Sequence, residues 1–390
     1  MGLIIKEVKK RLLPLFLSQS LLSVAGSLLG FFSAIFIYKK TSSILTVAWF
    51  FLVLYLFKTL ATFWAENLAQ KFGLKSQAFI GHFFTILTLL AFFASEKNFA
   101  FIWLAAAFWG LSSGFFWFGR HGLFLKIGKQ GQFGQSVGWS GIINTFLLLG
   151  VPFLGGVLIS RFGYSILFLV ALIFVVLAVL VLVPLQGEKT HRDVKLIEIF
   201  KLFLTHKRMT LAYFSSGAIG GLYSALILYI FLVLKKELTL GGFFSLSMLL
   251  VALANFATGS RVDKKGKKNL MTYGAIFTSL VWLGRFIVST IGGLFVLNVI
   301  EGVAGGMLGI PLEVLSYEKA IDGQSTGRAL LFRETAINFG AIFGCLLFAG
   351  LAVLNLQLKF AFLAAMIFSL LPLLVIKNIE LMDGHDQGRF

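Results

Sequence analysis

Long apolar runs dominate the chain, each broken by a short polar or glycine-bearing interval. A helix crossing the hydrocarbon core of a bilayer needs about 20 apolar residues. Runs of that length fall near 12–38, 42–64, 76–95, 99–122, 136–160 and 164–185. They resume near 209–233, 239–258, 270–290, 292–316, 328–353 and 357–376. The pattern predicts an all-α membrane protein of twelve transmembrane helices, the ninth and tenth joined almost without a loop. One long polar stretch, "QGEKTHRDVKLIEIFKLFLTHKR" (186–208), interrupts them at mid-chain. Its Val194, Ile197, Phe200 and Phe203 or Leu204 recur at helical spacing, which predicts a short amphipathic helix on the membrane surface. The predicted organisation is a six-helix bundle over 1–185, a linker over 186–208, and a second six-helix bundle with a short tail over 209–390.

Composition agrees with this pattern. The chain is 58% hydrophobic and only 13% charged, whereas soluble domains carry about 25% charged residues. A net charge of +18 would point to nucleic acid in a soluble chain. In a membrane protein Lys and Arg collect in cytoplasmic loops instead. With both termini cytoplasmic, the inner segments hold 24 Lys and Arg, the outer loops seven, and Lys58, Arg285 and Arg333 lie within spans. This asymmetry predicts a multi-pass protein of the plasma (inner) membrane, its inner loops facing anionic lipid rather than nucleic acid. The basic N-terminus lacks a small-residue cleavage site and runs on into apolar sequence, so it reads as the first span rather than a removed signal. Lys6 stands where a myristoylation motif wants Ser or Thr. The single cysteine, Cys345, excludes an intramolecular disulfide. No phosphate-cradling loop precedes a Lys-Ser/Thr, and no His/Cys/carboxylate cluster suggests a metal, so neither ATP nor a metal cofactor is expected.

Two short stretches echo one another. "ENLAQKFGLK" (66–75) follows the second span and "GSRVDKKGKK" (259–268) follows the eighth, 193 residues later. Each has a basic residue, a spacer, a Gly and a terminal Lys at matching positions. With the twelve spans, this repeat resembles the major facilitator superfamily. That family carries G-x-L-A-D-R-x-G-R-K between helices two and three and again between eight and nine. The second copy matches at Gly259, Asp263, Lys264, Gly266, Lys267 and Lys268, and departs at Arg261. The first keeps Leu68, Ala69, Lys71, Gly73 and Lys75, but has Glu66 for the first Gly and Gln70 for the Asp. The resemblance implies two pseudo-symmetric six-helix bundles that rock about a central path, with these loops as gates. Lysines alone are explained by charge bias; the Asp–Gly spacing and its echo are not. Because the acid survives only in the second copy, that copy is expected to be the main latch. A weaker resemblance lies in span five, where Pro152, Gly155 and Gly156 look like a degenerate form of the fifth-helix motif of facilitator-family antiporters. A kinked, closely packed helix accounts for them equally.

Ionisable and polar residues at membrane depth are costly and therefore mark candidate sites. Glu301 sits near the middle of span ten, with Asn298 and Gly305 on its face. The resemblance places span ten on the central path, making Glu301 a proton carrier or else an acid held by a structural partner. Span four carries the stripe Trp109, Ser113, Trp117 and Arg120, an aromatic face ending in a cation. It suits an amphipathic or anionic substrate, or is packing with a snorkelling Arg. Gln19 and Ser23 form a polar stripe on span one. Arg333 and Glu334 open span eleven, with a gating role in which Arg333 pairs with Asp263. Lys58 and Arg285 are expected to snorkel, and His82 to be a satisfied packing histidine. Gly-x-x-x-Gly pairs (Gly26/Gly30, Gly110/Gly114, Gly302/Gly306, Gly305/Gly309, Gly340/Gly344) permit close helix approach.

The resulting expectation is a monomeric secondary transporter, not an enzyme. It would move a small organic solute by alternating access, as a proton-coupled exporter of antiporter type. Import of a sugar or metabolite is the rival within the family. A membrane-embedded lipid-handling protein or enzyme is the rival from another class.

Overall fold

A computed structural model describes residues 2–127, 133–187, 189, 196–262, 267–322 and 326–375. Side chains are described there except at 2–11, 133–135, 137–138, 196, 254–262, 267, 318–322 and 326. The described chain is helical throughout its regular structure. The first half comprises α1 (Gly2–Thr41), α2 (Ile44–Phe72), α3 (Leu74–Ser95), α4 (Phe101–Ile127), α5 (Phe133–Leu148), α6 (Val151–Phe162) and α7 (Tyr164–Leu182). A linker helix α8 (Leu196–Thr205) follows. The second half comprises α9 (Lys207–Leu234), α10 (Glu237–Val262), α11 (Lys267–Ile287), α12 (Ile291–Asp322), α13 (Thr326–Val353) and α14 (Phe360–Leu370). Among the described residues, ten helices are long and apolar enough to span a bilayer, and Glu237–Leu253 and Phe360–Val375 are shorter apolar stretches. Together they occupy the twelve segments that hydropathy predicts.

The turns have local causes. Ser43 caps α2 by accepting from the Thr46 amide. Gly73 (φ 87°) is the one-residue turn from α2 to α3 that the first loop motif requires, because L side chains rarely adopt that backbone. Span five is not one helix but two, broken at Leu149–Gly150. Pro152 has no N–H for the carbonyl of Leu148, four residues earlier, and α5 ends there. The linker helix also differs from expectation. Ile199 is buried and Phe203 packs on Phe332 and Phe339 of α13, while Ile197, Phe200 and Leu204 point outward. Val194 lies outside the described residues.

Two apolar clusters fill the interior, one at each end of the bundle. The end holding Ala69, Leu74, Ile127, Ile199, Leu312 and Leu330 is here termed the basic end, since the loop lysines of 71–75 and the linker lie there. The far end holds Ile37, Ile102, Leu234, Leu240 and Leu294. Both clusters draw on both halves. Across the halves, α2 packs along α13 and α6 along α10. Gly156 abuts the backbone of Glu237 and Leu238, and Gly241 abuts that of Pro152, so neither position leaves room for a Cβ.

Candidate functional site

Charged side chains from four helices, with Gln19 from a fifth, meet between the halves towards the basic end. Arg120 on α4 is buried, donating through Nε to Gln19 Oε1 of α1 (2.7 Å) and through Nη1 to the Tyr317 hydroxyl of α12 (2.6 Å). The same Nη1 lies 3.3 Å from Glu313 Oε1, to which Tyr317 also donates (2.7 Å). Arg333 on α13 donates to Glu334 Oε1 (2.5 Å) and to Nε2 of His121 (3.0 Å). Lys58 on α2 reaches within 3.9 Å of Glu334 Oε2. His121 stands between the two guanidiniums: its Nε2 lies 3.0 Å from Arg333 Nη1, and its Nδ1 lies 3.0 Å from Arg120 Nη1 and 2.6 Å from the Tyr317 oxygen. Trp117 stacks on His121, and both Trp117 and Phe124 flank the Arg120 guanidinium.

A second polar group lies deeper. Arg285 on α11 is wholly buried and donates to Glu301 Oε2 (2.5 Å) and Asn298 Oδ1 (3.1 Å) of α12. Asn298 in turn donates to Ser247 of α10 (2.8 Å), and the guanidinium lies 4.6 Å from the Trp282 ring centre. Glu301, Asn298, Tyr223 and Ser247 border a cavity of about 320 Å³ that the first half closes with Phe31, Asn144 and Thr145. At the far end, Glu237 of α10 accepts from Lys39 of α1 (2.6 Å) and from Tyr164 of α7 (3.1 Å), joining the halves there.

The predicted site residues thus separate into groups. Glu301 and Asn298 share the deep cavity, while Gln19, Trp117, Arg120, Arg333 and Glu334 share the charged junction. Trp109 packs among Phe50, Phe51 and Phe92 near the far end, with Ser113 and Ser23 half-buried along their helices. Two snorkelling expectations fail. Arg285 turns inward because an acid 16 residues later offers a partner, and Lys58 is likewise held by a carboxylate; Arg120, for which snorkelling is one alternative, is also paired with an acid. His82 meets Ser18 through Nε2 (3.1 Å), but its Nδ1 has no partner.

Of the first loop motif, Lys71 is exposed and Lys75 donates to the Val183 carbonyl (2.7 Å). Gln70 donates to Glu66 (3.3 Å), and the Glu66 carboxylate lies where a Cβ on Gly327, in the first turn of α13, would stand. An acid one turn before Gln70 therefore meets the start of α13. In the second copy, Asp263, Lys264 and Gly266 lie outside the described residues, as do the side chains at Gly259 and Lys267; Lys268 is half-buried. In α6, Gly155 fits against Phe32 and Leu28 of α1. The paired glycines differ: Gly110/Gly114 and Gly340/Gly344 receive neighbouring helix backbones, Gly302 meets the Val251 side chain, and Gly26, Gly30, Gly305, Gly306 and Gly309 face open space.

Sequence reasoning passed over Glu313, Tyr317, His121, Tyr213, Glu237 and Lys39 as site residues. One signal was present: Glu301, Gly305, Gly309 and Glu313 recur every fourth residue and so track one face of α12.

Comparison with known proteins fits this architecture. The family model described as Major Facilitator Superfamily matches residues 15–320. The uncharacterized protein YqgE of Bacillus subtilis (strain 168) is 24% identical over 365 residues, 88% of this chain and 83% of that protein. The human organic anion transporter MFSD10 (TETRAN) superposes with a TM-score of 0.71 at 13% identity, covering 95% of this chain and 99% of its own. An auto-inhibited peptide transporter of the POT family superposes with a TM-score of 0.70 at 11% identity, covering 98% of each chain. These two structures establish the fold. By the family match over most of its length, the chain belongs to the Major Facilitator Superfamily, whose members are secondary transporters and not enzymes.

Proposed function

We propose that the protein exports a small organic solute across the inner membrane in exchange for protons, with both termini and the basic end in the cytoplasm. The observation that carries this reading is the Arg285–Glu301 pair on the wall of a cavity between the halves. Glu301 is 17% exposed to that cavity while Arg285 has no exposed surface, so a proton can reach only the acid. Protonation there removes the partner of a buried guanidinium, which couples proton arrival to rearrangement of α11 and α12.

Alternating access needs a closure at each end. Lys39, Glu237 and Tyr164 supply one at the far end, and the Arg120–Glu313–Tyr317 junction supplies the other. Glu66 against Gly327 adds a contact between α2 and α13 at the basic end, which favours a working first loop motif despite Gln70. Pro152, Gly155 and Gly156 let α6 lie against α1 and α10, which is compatible with the antiporter resemblance and with close packing alone. The organic anion transporter and the peptide transporter share the fold, so the fold does not choose the solute.

The test is uptake of a labelled solute panel into proteoliposomes with and without an imposed pH gradient. Export by exchange predicts accumulation driven by an opposed proton gradient. Accumulation with a parallel gradient supports the importer reading, and gradient-independent equilibration overturns proton coupling.

A further inference from the structure

We propose that a second cavity, next to the charged junction, binds the carboxylate of a small organic monoanion through the side-on edge of Arg333. The proposal rests on the reading that the solute path runs between the halves, and it names the class of solute.

This cavity, of about 270 Å³, lies within the second half and is bordered by Tyr213, Ser216, Gly305, Gly309, Glu313 and Arg333. Arg333 Nη1 makes both of that side chain's hydrogen bonds, to Glu334 and His121. Among the described residues Nη2 and Nε make none, and the side chain is 16% exposed, bordering the cavity. Nη2 and Nε form the edge of a guanidinium that grips a carboxylate with two parallel bonds. Arg333 borders the cavity, and an edge with no bond to a described residue is free to receive an oxyanion there.

The charge balance points the same way. Among the described residues, the junction gathers the cations Lys58, Arg120 and Arg333 against the acids Glu313 and Glu334. Both ring nitrogens of His121 face guanidinium nitrogens at 3.0 Å, so His121 adds no negative charge, and at their usual charges the three cations outnumber the two acids by one. The pair Arg285–Glu301 is neutral in itself. An uncompensated charge at this depth is costly, and one bound monoanion offsets it. Glu313, on the cavity wall, repels a second negative charge, so a dianion is disfavoured. Bulk is accommodated along α12, where a Cβ at Gly305, Gly306 or Gly309 would meet nothing within 4 Å.

The test is equilibrium binding to the full chain in lipid nanodiscs. Benzoate is compared with its neutral isostere benzamide, the cation benzylammonium and the dianion phthalate, with acetate and hexanoate as smaller and longer carboxylates. Saturable binding of at least one monocarboxylate is expected, with the amide and the amine at least about tenfold weaker. Arg333→Gln should cost that carboxylate at least about tenfold, and Arg333→Lys should recover only part of the loss. Because Arg333→Gln also disturbs Glu334, Gly309→Leu serves as the second variant. It fills the cavity from an open position and should abolish binding with no loss of thermal stability. The proposal is overturned if no monocarboxylate binds saturably, if benzamide equals benzoate, or if both variants bind as wild type does. Carboxylate binding that depends on Arg333, without gradient-driven uptake, would leave the site standing and remove the exchange reading. Gradient-driven uptake with no carboxylate binding would do the reverse.

Discussion

Replacing Glu301 by Gln tests the deep ion pair directly. The substitution keeps the shape of the side chain and removes its charge, stranding Arg285. That guanidinium is wholly buried, with one bond to Glu301 at 2.5 Å, one to Asn298 at 3.1 Å, and the Trp282 ring 4.6 Å away. Its Nε and Nη1 have no hydrogen-bond partner. After Glu301→Gln only an amide and a ring face the positive charge. Removing one partner of a buried pair costs about 3–5 kcal/mol. Replacing both by neutral residues of similar volume, as in Arg285→Met with Glu301→Gln, costs far less, because no charge remains to be desolvated. Arg285→Gln alone is expected to lie between, since the surviving carboxylate borders a cavity and is partly exposed there. For a chain of this length each kcal/mol moves the melting temperature by about 1–2 °C, extending the trend of shorter domains. Thermal unfolding of the solubilised protein should therefore drop by several degrees for Glu301→Gln and return to within about 2 °C of wild type for the double variant. A Glu301→Gln protein as stable as wild type, or a double variant less stable than the single, would refute the reasoning.

Glycine substitutions should divide by environment. A Cβ on Gly340 would collide with the Phe214 carbonyl and one on Gly217 with that of Ile337, so Gly340→Ala or Gly217→Ala should force α9 and α13 apart and lower the yield of monodisperse protein. Gly305→Ala, which meets nothing, should purify like wild type. At the far end, Glu237→Gln removes an ion pair with a half-exposed Lys39, worth about 1 kcal/mol or less. That is enough to shift a two-state balance several-fold, and spin-label distances between α1 and α10 at the far end should gain a longer population. At the basic end, Gly327→Ala places a methyl group on the Glu66 carboxylate. Distances between α2 and α13 at the basic end should lengthen, while those at the far end stay unchanged.

The helices were legible because hydropathy at bilayer length is a strong signal, and even the break in span five was announced by Pro152 four residues after Leu148. Glu301 and Asn298 were legible as polar residues at membrane depth, but the partner of Glu301 was not. Placing Arg285 by its nearness to a helix end sends it to solvent; only packing shows that it turns towards α12. The loop motif taught a similar lesson. Gln70 for Asp reads as erosion, yet Glu66, one turn earlier on the same helix, sits beside Gly327, 261 positions later. Contacts of that separation, including Arg120 with Tyr317, depend on how the halves meet, and no periodicity within one helix encodes them.

The claim that proton and solute share the path past Glu301 is tested most directly by the internal pH of proteoliposomes. Wild type and the Arg285→Met/Glu301→Gln double variant would each be given an outward or inward gradient of the labelled solute panel. In wild type, a transported solute should drive proton movement in the opposite direction, and in the double variant that proton movement should disappear. Solute flux in wild type without proton movement, or proton movement unchanged in the double variant, would contradict it.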